Sequence, residues 1–256
     1  MRINLNAVEN INYEKSYVAF LDVLGFKKLV MSKNKKEKLK LEQYFGIVNS
    51  AIEYLKEIPS KRNIGSIIIS DSVILSVPHG QDRQTNINKL RHLCVAVGII
   101  QQHLALKNIW LRGAISSGDT YFNSDKRQIV GPAYINAYLL EGSVAVSPRV
   151  VLDSKIIEEL EFSSATEFID SMNKMDDGGL NYSNWGSSIL YCWHYPDGKA
   201  VTLIEQDIAL FIDYLAPVVE SNNRKLIQII ENLEYNMYKD TTTYKKFRWV
   251  ADYLKS

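Results

Sequence analysis

Two aspartates at the ends of apolar segments are the residues best suited to chemistry in this sequence. Asp22 follows the apolar run YVAFL and precedes the turn VLGF, and Asp71 lies between the runs IGSIIIS and SVILSV. A carboxylate this close to a core needs a cation, N–H donors or a metal ion as its partner. On adjacent strand ends, the two would form an oxygen-ligand site for Mg²⁺ and nucleotide phosphates. The structural alternative is that Asp22 caps the Gly25 and Phe26 amides and Asp71 is an ordinary turn residue.

Arg112 is a third candidate, because it lies inside the strand-like run IWLRGAISSG. An arginine on a strand is either a solvated edge charge or a clamp for phosphate. If it clamps phosphate, we expect its removal to cut turnover sharply and to leave the fold intact, since a solvent-facing arginine on a strand contributes little to stability.

The other reactive residue types carry no recognisable motif. His79, His92, His103 and His194 lack metal-ligand spacing, and we interpret all four as structural or surface residues. No GxSxG elbow supports a serine hydrolase triad, and no GxGxxG or Walker motif supports a dinucleotide or P-loop site.

Alternating strand and helix patterns must position these candidates. Apolar periodicity predicts strands at 17–23, 64–70, 72–78, 109–118 and 127–131, and helices at 36–57, 87–106 and 133–141. The tight hairpin at Ser70-Asp71 makes the sheet partly antiparallel. We therefore predict an α/β fold, an α+β sandwich with a mixed sheet covered by helices.

The second part of the chain has weaker patterns. Residues 160–185 are polar and rich in Gly, Ser and Asn, which predicts a loop, and runs at 187–193 and 199–204 predict two strands around Pro196-Asp197-Gly198. Helices are predicted at 206–238 and 243–255. We expect one domain at 1–153, which carries the candidate residues, and an extension at 154–256 packed on the same domain.

Composition limits the class of protein. The chain has 256 residues, 46% of them hydrophobic, and 30 Lys+Arg against 29 Asp+Glu, so no global charge favours nucleic acid or a membrane surface. Cys94 and Cys192 have no zinc-site spacing. No apolar run has the length of a signal peptide or a membrane span, and we expect a cytoplasmic protein that binds neither nucleic acid nor membrane.

Four motifs in order resemble the class III nucleotidyl cyclase catalytic domain. They are FLDVLGF (20–26), SDSVILSV (70–77), LRGAISSG (111–118) and VGPAYINAYLLE (130–141), and the match extends over about residues 17–153. The resemblance implies a ferredoxin-like, class III cyclase domain with a C-terminal extension.

The resemblance also implies a role for each matched residue. Asp22 and Asp71 would hold two Mg²⁺ or Mn²⁺ ions, with the Val23 carbonyl as a further ligand. The Leu24, Gly25 and Phe26 amides would face the phosphates of a nucleoside triphosphate. Arg112 would contact the triphosphate.

The sequence departs from the adenylate-type pattern at the positions that read the base. Ile67 stands where those members carry a Lys, and Gln128 stands where they carry an Asp, so the adenine-reading pair is missing. Asn136 is one position from the family's helix Asn, whose aligned position is Ile135, and Leu139 stands in place of the helix Arg. Another cation, such as Arg127 or Arg149, would have to replace that Arg.

These departures look most like the bacterial pyrimidine cyclases of the Pycsar anti-phage systems. That likeness implies conversion of UTP or CTP to the cyclic monophosphate, a homodimer with the site at the interface, and a diffusible product that acts on a separate effector. The alternative is a catalytically inactive relative on the same fold that acts as a nucleotide-binding or regulatory protein. A diguanylate cyclase relative is disfavoured, because the hairpin tip reads ISDS rather than GG(D/E)EF.

Overall fold

The structure is a computed structural model of one chain. It describes residues 8–57, 64–173, 190–191, 209–221, 223–239 and 241–255. The predicted strand at 199–204 and its turn Pro196-Asp197-Gly198 lie outside the described residues.

The first half of the chain is a βαββαβ unit. Each of its strands and long helices overlaps a segment that the sequence predicts, and the short helix α1 is an addition. The elements are β1 (Glu14–Val23), α1 (Phe26–Met31), α2 (Lys35–Glu57), β2 (Gly65–Ile69), β3 (Ser72–Pro78), α3 (Arg83–Leu106) and β4 (Leu111–Asn123).

The sheet has the strand order of a ferredoxin-like fold at this end. The order begins β2-β3-β1-β4, with all three pairings antiparallel. In the register, Asp22 on β1 lies opposite Ser72 on one side and Arg112 on the other. The predicted mixed α/β sheet covered by helices is therefore confirmed, and the ends of β1, β3 and β4 converge at Asp22.

The second half extends the same sheet. A parallel pairing joins β4 to β6, and the order continues β6-β8-β7, with β5 paired to β4. Strands from beyond residue 153 thus belong to the sheet of the preceding segment. The added elements are β5 (Gln128–Val130), α4 (Pro132–Ser143), β6 (Val150–Leu152), α5 (Lys155–Glu159), α6 (Ala165–Asn173), β7 (Leu190–Tyr191), β8 (Phe211–Ile212), α7 (Ala216–Ser221), α8 (Asn223–Met237) and α9 (Thr241–Tyr253).

Two sequence predictions in this half are wrong in part. The predicted loop at 160–185 contains α6, whose Phe168 and Met172 are buried although the segment around them is polar. The predicted helix at 206–238 is interrupted, because Phe211 and Ile212 form a strand before the helices begin. Short buried apolar runs fit strands and helices equally well, so tertiary pairing decides between them.

The two faces of the sheet carry different cores. Tyr17, Ala19 and Leu21 face the large core that α2, α3 and α8 cover. Val18 and Phe20 face the opposite side, where they pack with Ala133 and Ala137 of α4. Side chains alternate along a strand, so Asp22 points to the same side as Phe20, the side of α4.

No helix among the described residues is long and apolar enough to cross a membrane.

Candidate functional site

Asp22 and Asp71 come together at one end of the sheet. The Val23 N–H donates to the Asp71 carbonyl over 3.1 Å, which joins the end of β1 to the hairpin turn. Ser70 begins that turn at φ 59°, and its carbonyl accepts a hydrogen bond from the Tyr44 hydroxyl of α2 at 3.4 Å. The turn is therefore fastened from both sides, beside Asp22.

The charge of Asp22 is only partly compensated. Burial is the largest influence and raises its pKa, the nearby Arg112 opposes this, and the negative charge of Asp71 raises the pKa further. Burial also raises the pKa of the Tyr44 phenol, and both carboxylates add to that effect. Because the charge of Asp71 disfavours the ionised form of Asp22, a cation near both carboxylates would be favourable.

Arg112 is engaged by two carboxylates rather than by solvent. Its Nε lies 3.3 Å from Asp22 Oδ2 and 2.6 Å from Glu141 Oε1, and its side chain is 22% exposed. The prediction of a solvent-facing arginine is therefore wrong. The reason is that α4 crosses this end of the sheet and brings Glu141 over β4.

Glu141 is a member of the site that the sequence analysis missed. It continues the buried stripe of α4 after Ala133 and Ala137, one helical turn apart each time. Burial raises its pKa most, Arg112 lowers it, and Asp22 raises it. A glutamate on the buried face of an otherwise apolar helix is the signal that could have indicated it.

The turn after Asp22 offers fewer amides than the resemblance implied. The Leu24 N–H donates to the Trp110 carbonyl at 2.8 Å, so it is used within the fold. Gly25 adopts φ 74°, a conformation that favours glycine, and precedes the short helix α1. The Phe26 side chain is buried against the Tyr44 ring. Of the three predicted phosphate donors, Gly25 and Phe26 remain candidates.

The residues assigned to the base and ribose do not gather at the carboxylates within one chain. Ile67 is 3% exposed and packs with Val18, Phe20 and Ile74. Gln128 is exposed on β5 and pairs with Asn123, at the opposite end of β4 from Arg112. Asn136 is half-buried on α4 and does not share the buried face of Glu141.

A second cation near the carboxylates, besides Arg112, is a lysine that the sequence analysis did not single out. Lys246 of α9 lowers the pKa of both Asp22 and Glu141. The two arginines predicted as replacements for the helix Arg lie elsewhere. Arg127 is exposed in the β4–β5 turn, and Arg149 is buried with its guanidinium 4.6 Å from the Trp249 ring centroid. Sequence patterns could not indicate Lys246, because α9 reaches the site from more than 130 residues beyond Arg112 in the chain.

The donor chemistry at this end of the sheet fits a hard divalent cation. Within the part of the chain that the structure describes, no group of three or more His, Cys, Asp or Glu side chains could hold a metal ion. Mg²⁺ commonly binds through only one or two carboxylates and completes its shell with water and phosphate oxygens. Asp22 and Asp71 are two such carboxylates, and the metal site that the resemblance implies for them and the Val23 carbonyl stays a prediction.

His79 and His92 have structural partners, and His103 is exposed on α3, which agrees with their interpretation as structural or surface residues. The Nε2 of His79 lies 3.1 Å from Ser117 Oγ, its ring packs against Tyr17, and its Nδ1 is 3.7 Å from Glu159 Oε1. The Nδ1 of His92 lies 2.6 Å from the Asn88 carbonyl in α3. His194 lies outside the described residues.

Comparison with protein-family models finds no match. Comparison with curated proteins finds none either.

Solved structures with a similar arrangement include cyclase domains, at low similarity. The catalytic core of a rhodopsin-guanylyl cyclase with converted specificity, in complex with ATPαS, is 13% identical, with a TM-score of 0.42, over 78% of this chain and 94% of its own. A bacterial light-regulated adenylyl cyclase is 16% identical, TM-score 0.42, over 63% of this chain and 49% of its own. A class III adenylyl cyclase-like ATP-binding protein from Pseudomonas aeruginosa is 11% identical, TM-score 0.42, over 90% and 60%. At this level of similarity, an activity has to be argued from the residues of the site.

Proposed function

We propose that the chain is a nucleotidyl cyclase that converts a nucleoside triphosphate to its 3′,5′-cyclic monophosphate and pyrophosphate. The observation that carries the proposal is the convergence of Asp22, Asp71 and Arg112 at one end of the sheet. A pair of carboxylates beside an arginine matches what phosphoryl transfer requires, namely metal ligands and a cation for phosphate oxygens.

The reaction is an internal displacement at the α-phosphorus. A bond forms between the ribose 3′-oxygen and the α-phosphorus, the bond from that phosphorus to the bridging oxygen breaks, pyrophosphate leaves, and the proton of the 3′-hydroxyl passes to water. When bound, two Mg²⁺ or Mn²⁺ ions would activate that hydroxyl and neutralise charge on the phosphates. Asp22, Asp71 and the Val23 carbonyl are the groups that would hold them.

The chain's own residues then orient the triphosphate. The Nε of Arg112 contacts the carboxylates of Asp22 and Glu141. The two terminal nitrogens of a guanidinium are suited to bidentate contact with phosphate. Glu141 fixes the direction of that guanidinium. The Gly25 and Phe26 amides lie at the turn directly after Asp22, where a phosphate oxygen can accept from them.

A second copy of the chain would complete the site. Asn136 and Gln128 lie away from the carboxylates of their own chain, so they can contribute to the ribose and the base only from a partner protomer. The outer face of α4 offers an apolar surface for such a homodimer, because Ile135, Tyr138 and Leu139 are all at least half exposed.

The substrate we propose is UTP or CTP. Ile67 has no polar group, and the Gln128 amide can donate to a carbonyl or accept from an amino group, which suits either pyrimidine. With the resemblance to the Pycsar enzymes, this supports a role in anti-phage signalling, in which the cyclic nucleotide diffuses to a separate effector in the cytoplasm.

One observation favours an alternative, a catalytically inactive cyclase-fold protein that binds nucleotides. Helix α4 carries exposed Leu139 at the position of the family's transition-state arginine, and its sequence PAYINAYLLEGS contains no cation. In that case the carboxylate site would bind a metal–nucleotide complex without turnover.

The test is to incubate the protein separately with ATP, GTP, CTP and UTP plus Mn²⁺ or Mg²⁺ and to identify products by mass spectrometry. We expect a cyclic monophosphate with the wild type and none with Asp71→Asn. Asp125→Asn, an exposed aspartate in the β4–β5 turn, is the matched control. Binding of a metal–nucleotide complex without any cyclic product would favour the inactive alternative.

A further inference from the structure

A cavity of about 430 Å³ lies next to the Leu24–Gly25 turn and is closed by the C-terminal helices. Its wall combines residues of α1 and α2 with Asn236 and Lys239 at the end of α8 and Lys246 of α9. Val23, Trp110 and Phe247, which also line it, belong to the core on the side of α2 and α3. The cavity therefore adjoins the core that α2 and α3 cover.

The charge in this cavity is strongly positive. Lys28, Lys40, Lys239 and Lys246 line it against a single carboxylate, Glu37. Lys40 pairs with Glu37 at 3.3 Å. Among the described residues, the remaining three lysines form no ion pair within 4.0 Å of a carboxylate. Lys28, Lys239 and Lys246 form the lysine triad of this cavity.

Two members of the lysine triad, Lys28 and Lys239, repel each other electrostatically. Burial lowers the pKa of Lys239 most, and the adjacent Lys28 ammonium lowers it further. Like charges held side by side cost free energy unless an anion lies between them. The arrangement is unfavourable for the chain alone and favourable for a ligand with several negative oxygens.

The geometry points to an anion site in this cavity, and we propose that the lysine triad binds a compact phosphate-type anion of the pyrophosphate class. Lysine ammonium groups bind phosphates as point charges, and three around one cavity match an anion with charge on two phosphorus centres better than a single phosphate. Of the neutral lining, the Asn236 amide already donates to Asn108 Oδ1 and to the Asn232 carbonyl, and the exposed Tyr235 ring lies 5.4 Å from Lys239 Nζ. The ammonium groups are therefore the main attraction for an anion in this cavity. The inference does not depend on the proposed cyclase activity.

This site adjoins the carboxylates without being part of them. Lys246 lines the cavity and also interacts electrostatically with Asp22 and Glu141. The Lys246 ammonium group would thus interact both with an anion in the cavity and with the two carboxylates. Binding in one place should affect the other through Lys246, which gives the C-terminal helices a role in the site.

The experiment is calorimetric titration of inorganic pyrophosphate into the full-length chain in metal-free buffer with a chelator. We expect saturable binding that Lys28→Gln and Lys246→Gln each weaken by about tenfold, the loss of one charge-assisted contact. The neighbouring exposed lysines supply matched controls, and Lys27→Gln and Lys245→Gln should change the affinity less than about twofold. Thermal unfolding of each variant verifies the fold.

Further titrations separate this site from other sources of binding. The double variant Arg112→Gln with Glu141→Gln should retain pyrophosphate binding, and a loss there would place the anion at the carboxylate site and overturn the proposal. Equal affinity for sulfate, equal losses in Lys246→Gln and Lys245→Gln, or no saturable binding would also overturn it. Retained binding in a chain that cyclises no nucleotide would support the anion site and reject only the proposed function.

Discussion

Glu141 on α4 holds Arg112 on β4, with Glu141 Oε1 2.6 Å from Arg112 Nε and the glutamate side chain only 6% exposed. The contact is a close ion pair without the alignment of a hydrogen bond. Arg112 is thereby the main counter-charge for two partly buried carboxylates. Its side chain therefore stabilises the fold in addition to any contact with a bound ligand.

Replacing Arg112 should therefore destabilise the protein. We expect Arg112→Ala to lower the free energy of unfolding by about 1–3 kcal/mol, because it leaves the Glu141 carboxyl buried without its cation. Adding Glu141→Gln should restore part of the loss, and the pair should show coupling in a double-mutant cycle measured by urea unfolding. As a control, Arg248→Ala breaks an exposed pair on α9 and should cost less than about 0.5 kcal/mol. Additive effects of the two site changes would contradict the ion pair.

Divalent cations should stabilise the wild type and not its carboxylate variants. Because burial and Asp71 raise the pKa of Asp22, its ionised form is unfavourable in the folded chain until a cation binds. At a hundred times the dissociation constant, Mn²⁺ or Mg²⁺ should add about 2.7 kcal/mol, seen as a rise in Tm. Asp22→Asn and Asp71→Asn should remove the rise, whereas Asp125→Asn should keep it. An equal rise in all four proteins would place the metal elsewhere.

Gly113 should not tolerate a side chain. It lies beside Arg112 on β4, and a Cβ added there would overlap the Phe20 carbonyl oxygen and approach Leu21 Cδ2 at 2.8 Å. Since the obstacle is backbone of the paired strand, Gly113→Ala should cost about 1–3 kcal/mol and displace Arg112 from β1. Gly142→Ala on α4 meets no atom within 4 Å and should be neutral or slightly stabilising. Urea unfolding of the two variants distinguishes them, and equal stabilities would contradict the close approach.

The sequence predicts the strands and helices around the site better than it predicts which side chains meet there. The end of β1, the Ser70-Asp71 hairpin and α3 follow from local periodicity and turn chemistry, and the structure confirms them. The positions of Glu141 and Lys246 follow from how α4 and α9 cross the sheet, which no local pattern encodes. The use of the Leu24 amide by Trp110 depends on a loop distant in sequence. Sequence motifs therefore indicated the two aspartates of the candidate site but not the charged side chains beside them.

The stability of the protein should depend on His79 below neutral pH. Burial lowers the pKa of His79 to about 4, opposed by Glu159 and assisted by Lys15 and Lys89. The folded state thus binds fewer protons than the unfolded state, whose histidine titrates near 6.5. The stability that neutral His79 contributes is complete above about pH 6.5 and is lost as the pH falls toward about 4.

This dependence can be measured as a difference. The free energy of unfolding of the wild type minus that of His79→Gln should decrease steadily between pH 6.5 and pH 4, because glutamine does not titrate. Urea unfolding at half-unit pH steps gives the curve. A difference that stays constant over this interval would mean that His79 is protonated equally in both states.

The last prediction concerns the base of the substrate, and it rests on Ile67 and Gln128. Reading adenine requires an acceptor for the 6-amino group and a donor toward a ring nitrogen. Ile67 is buried among apolar side chains and supplies neither, and the nearby Tyr44 is fully buried with its hydroxyl donating to the Ser70 carbonyl. In the proposed homodimer, the single Gln128 amide of the partner protomer would suffice for one polar edge of uracil or cytosine. We therefore expect UTP or CTP to give cyclic product faster than ATP and GTP.

Because a site built on polar contacts loses much binding energy when they are unmatched, Gln128→Ala should lower the rate with the pyrimidine substrate by at least about tenfold. Gln84→Ala, on the exposed start of α3, should not change that rate. Faster formation of cyclic AMP than of either pyrimidine product would contradict the base assignment while leaving the carboxylate site intact.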